Sequence, residues 1–165
     1  MKKLTPALAK EIFFSLAPKI QPQDHQDFIM VHSEKVAKVA KMLAQKMGLD
    51  DQLLEIAGWV HDLGYLKSGQ EHAEQTILIL QDLGYEIDQT LQECILNHGN
   101  GKTPQTKEGK IFQLADKLSI FDADTIKIML EHHGFPWQES DYQLFPMMSA
   151  KAIELLHNFS KNKIK

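Results

Sequence analysis

The chain contains no arginine: all 18 of its basic residues are lysine. Any phosphate it binds must be met by ammonium groups, backbone N–H or a metal ion, never by a bidentate guanidinium fork. It has one cysteine, Cys94, which excludes an internal disulfide framework and a CxxC zinc site and points to a reducing compartment, the cytoplasm. No apolar run approaches the roughly 20 residues that cross a bilayer, so no membrane partner is expected. The N-terminal MKKLTPALAKEIFF begins with two lysines, but Lys10 and Glu11 interrupt its apolar part too early for a signal peptide. The net charge of −4 argues against a long nucleic acid as partner.

What remains is ordinary for a globular protein. The chain has 165 residues, 43% hydrophobic and 24% charged, enough for one domain with a real core. Helical periodicity dominates and strand-like alternation is nearly absent, so the expected fold is all-α: a single-domain bundle of about seven helices over residues 1–165. Thr5 and Pro6 open a first helix that Pro18 ends. A connecting region, KIQPQDHQDFIM, leads to a helix marked by Val36, Val39, Ala40, Leu43 and Met47 and stopped by Gly48. Asp50 or Asp51 caps DDQLLEIAGWVHD, which Gly64 closes. EHAEQTILILQDLG and Ile87 to His98 follow. After the polar loop GNGKTPQTK, a long or broken helix runs to Gly134. A last helix runs from Ser140 or Asp141 to Asn158, with Pro146 able to delay its start.

Several ligand-type residues lie on the apolar stripes of these helices. His32 is four residues before Val36. His61 extends the face of Leu54, Ala57 and Gly58, and His98 that of Leu91, Cys94 and Ile95. Asp116 lies four after Phe112 and four before Ile120, and His72 sits at the edge of its helix's apolar face. A buried aspartate is costly unless paired, hydrogen-bonded or metal-bound. Each residue taken alone reads as a separately hydrogen-bonded core group. Together they favour a metal centre between helices.

In this order, His32, then His61-Asp62, then Asp116, the chain resembles the HD superfamily of metal-dependent phosphohydrolases. The resemblance covers about residues 28–122 and rests on H-S-E-K-V-A-K-V-A at His32, A-G-W-V-H-D-L-G-Y at the pair and Q-L-A-D-K-L-S at Asp116. It implies that His32, His61, Asp62 and Asp116 ligate one metal. His72, in QEHAEQTILIL, and His98, in CILNHG, look like the extra histidines of members with two ions, where the aspartate of the pair bridges them; Asp62 is thus the residue assigned to catalysis. The implied cofactor is one or two divalent transition-metal ions (Mn, Fe, Co, Ni or Zn) that activate water against a small phosphorylated substrate, such as a nucleotide.

The chain also departs from the family pattern. Many members have lysine where this chain has Tyr65. The chain lacks the paired histidines and GYP triad of the cyclic-di-GMP-degrading branch and the Glu-Asp of alarmone hydrolases, so neither substrate is assigned. Positive charge for a phosphate is expected from Lys67, Lys102 or Lys117. GNGKTPQTK reads equally as a lid or as an ordinary connection. The resemblance leaves two alternatives: a di-iron oxygenase of the HD type, or a non-catalytic binding module. The bland expectations are a buried, inert Cys94, a packed Trp59, exposed His25 and His157, and a helix-capping His132-His133. The apolar HGFPW and YQLFPMM leave three readings open: packing on the bundle, a substrate wall, or contact with a second subunit in a homodimer.

Overall fold

A computed structural model describes residues 2–131 and 144–160. The helices begin where capping chemistry satisfies their first N–H groups. Thr5 Oγ1 accepts from Leu8 N at the start of α1 (Pro6–Leu16), with Pro6 in its first turn. Asp50 does the same for Leu53 N in α3 (Asp51–Val60), and Asp88 for Leu91 N in α5 (Gln89–Leu96). Thr106 accepts from Gly109 N in α6 (Lys107–Ser119). Between them lie α2 (Gln23–Met47) and α4 (His72–Asp82). After α6 come α7 (Ala123–Glu131) and α8 (Leu144–Ser160). Short 3₁₀ turns cover Ala17–Lys19 and Leu63–Leu66. Gly48 ends α2 in the left-handed region at φ 67°, which L side chains rarely adopt.

The all-α expectation holds, with eight α-helices among the described residues. Two details differ from it, the start of α2 and a short strand pair. Residues 23–30, read as a connection, are the first two turns of α2; Pro22 occupies the N-cap, and Asp24 lies in the first turn, where the helix dipole favours an acid. Of the long or broken helix expected after GNGKTPQTK, the broken form is present: it is interrupted at 120–122, where Asp122 restarts the helix, its backbone C=O accepting from Ile126 N and its side chain from Asp124 N. The end expected at Gly134 lies outside the described residues, as do His132-His133, HGFPW and the expected start at Ser140 or Asp141. A two-residue parallel ladder, β1 (Lys2–Lys3) with β2 (Tyr85–Glu86), ties the N-terminus to the end of α4; two residues are too few to show alternation in sequence.

The long α2 is the axis of the bundle, packed along α3 and α6, while α1 covers the far side of α3. Phe13 of α1 is fully buried against Trp59 of α3, ring centroids 5.5 Å apart, so Trp59 packs as expected. The α2–α3 contact is close because Gly58 faces Ala37. A Cβ on Gly58 would lie 2.3 Å from Ala37 Cα and 2.5 Å from its amide N, both backbone atoms that cannot swing away. Gly58→Ala would gain about 1 kcal/mol of helix propensity, but forcing two helices apart costs about 1–3 kcal/mol or more. We therefore expect a net loss of stability, read as a lowered midpoint in urea with an unchanged slope; an unchanged midpoint would mean that the helices separate freely. Among the described residues, no helix is long and apolar enough to cross a membrane.

Candidate metal centre

Three helices, and the segments that follow two others, bring the six sequence-predicted ligands to one place. His32 projects from the middle of α2 and Asp116 from the last turn of α6. His61 and Asp62 follow the end of α3, where the chain leaves the helix for the 3₁₀ turn. His72 opens α4, and His98 follows the end of α5. All but His72 are buried, and that side chain is only 19% exposed. Two triads each have ligand atoms within 4.8 Å of one another: His32, His61 and Asp116, and His61, Asp62 and His98.

Three histidines are oriented in the same way. Nδ1 faces the carbonyl three residues earlier in His61 (Gly58, 3.1 Å), His72 (Gly69, 2.9 Å) and His98 (Ile95, 2.6 Å). A carbonyl only accepts, so Nδ1 carries the hydrogen and the neutral ring turns its Nε2 lone pair inward. At the centre these lone pairs meet other acceptors. His61 Nε2 lies 3.2 Å from Asp62 Oδ2 and 3.7 Å from Asp116 Oδ1, yet is hydrogen-bonded to nothing. His72 Nε2 faces His98 Nε2 at 3.1 Å. Asp62 Oδ1 lies 3.5 Å from His72 and 3.6 Å from His98. Buried lone pairs facing one another repel unless a proton or cation lies between them. Imidazole nitrogen and carboxylate oxygen, without thiolate, form a donor set for a divalent transition metal.

The electrostatics have the same sign. Burial alone would push the His61 pKa down, but Asp62 and Asp116 outweigh it and raise it. Burial would raise Asp62, yet His61, His98 and His72 hold it well below the usual carboxylate range. At Asp116 burial is overcome chiefly by Lys117 and His32. His98 is held below its ordinary value by burial. The pocket thus keeps both carboxylates charged, and that charge favours a cation.

Asp116 is held from both sides, by His32 Nε2 on Oδ1 at 2.9 Å and by Lys117 Nζ on Oδ2 at 2.6 Å. Lys117, a candidate for phosphate, is 5% exposed and engaged with this aspartate. The other two candidate lysines are exposed. Lys67 lines a separate open groove with Leu16, Lys19 and Leu83, and Lys102 lies on the loop after His98. That loop is tied down. Gln113 Nε2 faces the carbonyls of Asn97, Gly99 and Lys102 at 3.1–3.3 Å, and Glu93 accepts from the amides of Gln105 and Thr106. Of the two readings of GNGKTPQTK, the fixed connection fits these bonds.

Three further residues shape the centre, none of them among the site residues expected from sequence. Thr76 Oγ1 accepts from Gly64 N at 2.8 Å and lies 2.9 Å from the carbonyls of both His61 and His72, joining the His-Asp turn to α4. A threonine four residues into a helix signals such back-bonding, but not the partner across the turn. Phe28 stacks on His32 with centroids 5.1 Å apart. His25, expected to be exposed, is half-buried and meets the Tyr65 ring edge-on at 6.0 Å; Tyr65 in turn stacks on His72 at 4.5 Å. The misplacement of His25 follows from reading the start of α2 as a loop. His157 is exposed and Cys94 buried, as expected. Burial, and then the carboxylates of Glu108, Glu93 and Asp88, push the Cys94 thiol far up.

Comparison with known proteins gives this arrangement a family. Residues 29–120 match the HD domain family. A deoxyguanosinetriphosphate triphosphohydrolase-like protein of Caldanaerobacter subterraneus subsp. tengcongensis is 30% identical over 125 residues, 64% of this chain and 37% of that protein. A Ribonuclease Y of Thermoanaerobacter pseudethanolicus is 29% identical over 93 residues, 55% of this chain and 18% of that one. The chain spans little more than a third of the length of the first of these relatives. A solved structure, described as a predicted HD superfamily hydrolase from an uncultured Thermotogales bacterium, shares the fold. Its TM-score is 0.59 and its identity 23%, over 92% of this chain and 91% of that one. With more than half its length matched, and with His32, His61-Asp62 and Asp116 gathered within that span, the chain belongs to the HD domain family.

Proposed function

We propose that residues 1–165 act as one unit, a metal-dependent phosphohydrolase that cleaves a small phosphoester, of nucleotide type. His32, His61, Asp62 and Asp116 would hold one divalent ion, and His72 and His98 would join Asp62 at a second. The observation that carries this reading is His61 Nε2: buried, without a hydrogen-bond partner, and set between two carboxylates. The name of the Caldanaerobacter relative, a triphosphohydrolase-like protein, supports a nucleotide.

When bound, a divalent ion supplies an activated water and offsets charge on a phosphoryl oxygen. The chain's own residues do the rest. Backbone carbonyls fix the rings of His61, His72 and His98, so their lone pairs are aimed before any ligand arrives. Lys117 and His32 hold Asp116 in one rotamer. Asp62 turns one oxygen towards His61 and the other towards His72 and His98, the disposition a bridging carboxylate needs. Cys94, buried and held as a thiol, supplies no nucleophile.

The test is elemental mass spectrometry of the untagged protein, followed by phosphate-release assays on deoxynucleoside triphosphates and monophosphates with Mn, Fe, Co, Ni or Zn. We expect one or two ions per chain and phosphate release that a chelator abolishes. A chain that takes up none of these metals would overturn the proposal. Iron uptake with oxygen consumption and no phosphate release would replace it with the oxygenase.

A further inference from the structure

The six expected ligands are not held alike. His61 and His98 sit inside the core: their rings meet edge to face 4.9 Å apart, and both lie against Phe112, at 5.5 and 6.3 Å. His72 is at the rim. Its side chain is 19% exposed, against 9% or less for the other five. It is also the first residue of α4, a helix whose N-cap, Glu71, makes no side-chain hydrogen bond to the first turn, unlike the caps of α1, α3, α5 and α6. Without that bond an opening turn is loosely held. Of the two proposed ions, the one that relies on His72 has the less enclosed ligands.

What steadies the His72 ring is local. Nδ1 donates to the Gly69 carbonyl at 2.9 Å, which fixes one corner of the ring but leaves it free to tilt about that bond. The plane is fixed by Tyr65, whose ring lies 4.5 Å away, centroid to centroid, and inclined by 20°. Such a stacked pair adds stability beyond the area it buries. Tyr65 is itself anchored to the centre. It comes from the 3₁₀ turn that follows Asp62, and its amide N–H donates to the Asp62 carbonyl at 3.1 Å. The chain at Gly69 passes along the same ring: a Cβ there would lie 3.6 Å from Tyr65 Cε1. One aromatic ring thus packs against both the ligand and the residue whose carbonyl orients it. An imidazole that holds a cation is electron-poor, and the electron-rich face of an aromatic ring favours it in that state.

We propose that Tyr65 is a positioning residue for the second ion: its ring, stacked on the His72 imidazole, fixes the plane of that ligand and so sets how tightly this ion is held. The proposal rests on the metal-dependent reading above, in which His72 and His98 join Asp62 at a second ion.

The experiment is titration of Co²⁺ into the metal-stripped full chain, followed by visible absorption and checked by elemental mass spectrometry. The wild type should take up two ions in two phases. Tyr65→Leu, which keeps apolar bulk but no ring face, should leave the first phase unchanged and weaken the second about tenfold, the scale for losing a group that orients a metal ligand. Tyr65→Phe, which keeps the ring, should stay within about threefold of the wild type in both phases. Wild-type affinity for the second ion in Tyr65→Leu would overturn the proposal. So would equal weakening of both ions, which marks a damaged fold, or a Tyr65→Phe chain no better than Tyr65→Leu. A wild type that takes up one ion only would overturn the second site and this proposal with it. One that takes up none would overturn the metal-dependent reading itself, a different outcome from failure at Tyr65 alone.

Discussion

Asp62→Ala is expected to remove metal and turnover together. The carboxylate is 6% exposed and lies 3.2–3.6 Å from three histidine nitrogens. No other group among the described residues has an oxygen towards each of the two sides of the centre. Without it the cavity loses one of its two negative charges, and the charge that raises the His61 pKa falls with it. We expect metal per chain to drop below one in elemental mass spectrometry. Phosphate release should fall at least about 1,000-fold, the scale on which losing a group aimed at transition-state charge is felt. Asp62→Asn separates shape from charge. It keeps the size of the side chain, so a fold-related loss would be spared while metal would still be lost. Turnover retained in either variant would remove Asp62 from the chemistry.

The second large effect is expected at a residue with no side chain. A Cβ on Gly64 would sit 1.7 Å from the carbonyl oxygen of His72 and 2.7 Å from its Cα. Both are backbone, so Gly64→Ala must drive α4 from the His-Asp turn by more than an ångström. The same movement breaks the Gly64–Thr76 hydrogen bond. We expect a loss of about 3 kcal/mol or more, or roughly 6–12 °C in Tm for a chain of this size. Any folded fraction should hold less metal, because His72 opens the helix that moves. A variant of wild-type stability and metal content would mean that α4 is free to shift against the turn.

The sequence is most legible where a residue's place depends on its own helix. His32, His61, His98 and Asp116 stand out because each lies on the apolar stripe of its element, and local spacing alone shows it. The start of α2 is hidden because QDHQD has no apolar stripe to mark a helix, and the first such residue after Pro22 is Phe28; His25 is lost with it. Whether the long pattern before Gly134 is continuous or broken, and where, depends on Asp122 bonding back to its neighbours, which the helical periodicity leaves open. Gly58, Gly64, Thr76 and Gln113 are illegible for a shared reason. What each touches belongs to a different element, and no local pattern says which backbone will arrive there.

The one sulfhydryl has a practical consequence. Cys94 is fully buried on α5, and its thiol is held far from ionising. Thiolate, not thiol, reacts with alkylating reagents, disulfides and peroxide. The folded chain is therefore silent to maleimides, and a cysteine introduced on its surface would carry a fluorophore or spin label without competition. Uptake of the label by the unaltered chain would then count unfolded molecules, one for each thiol that opens.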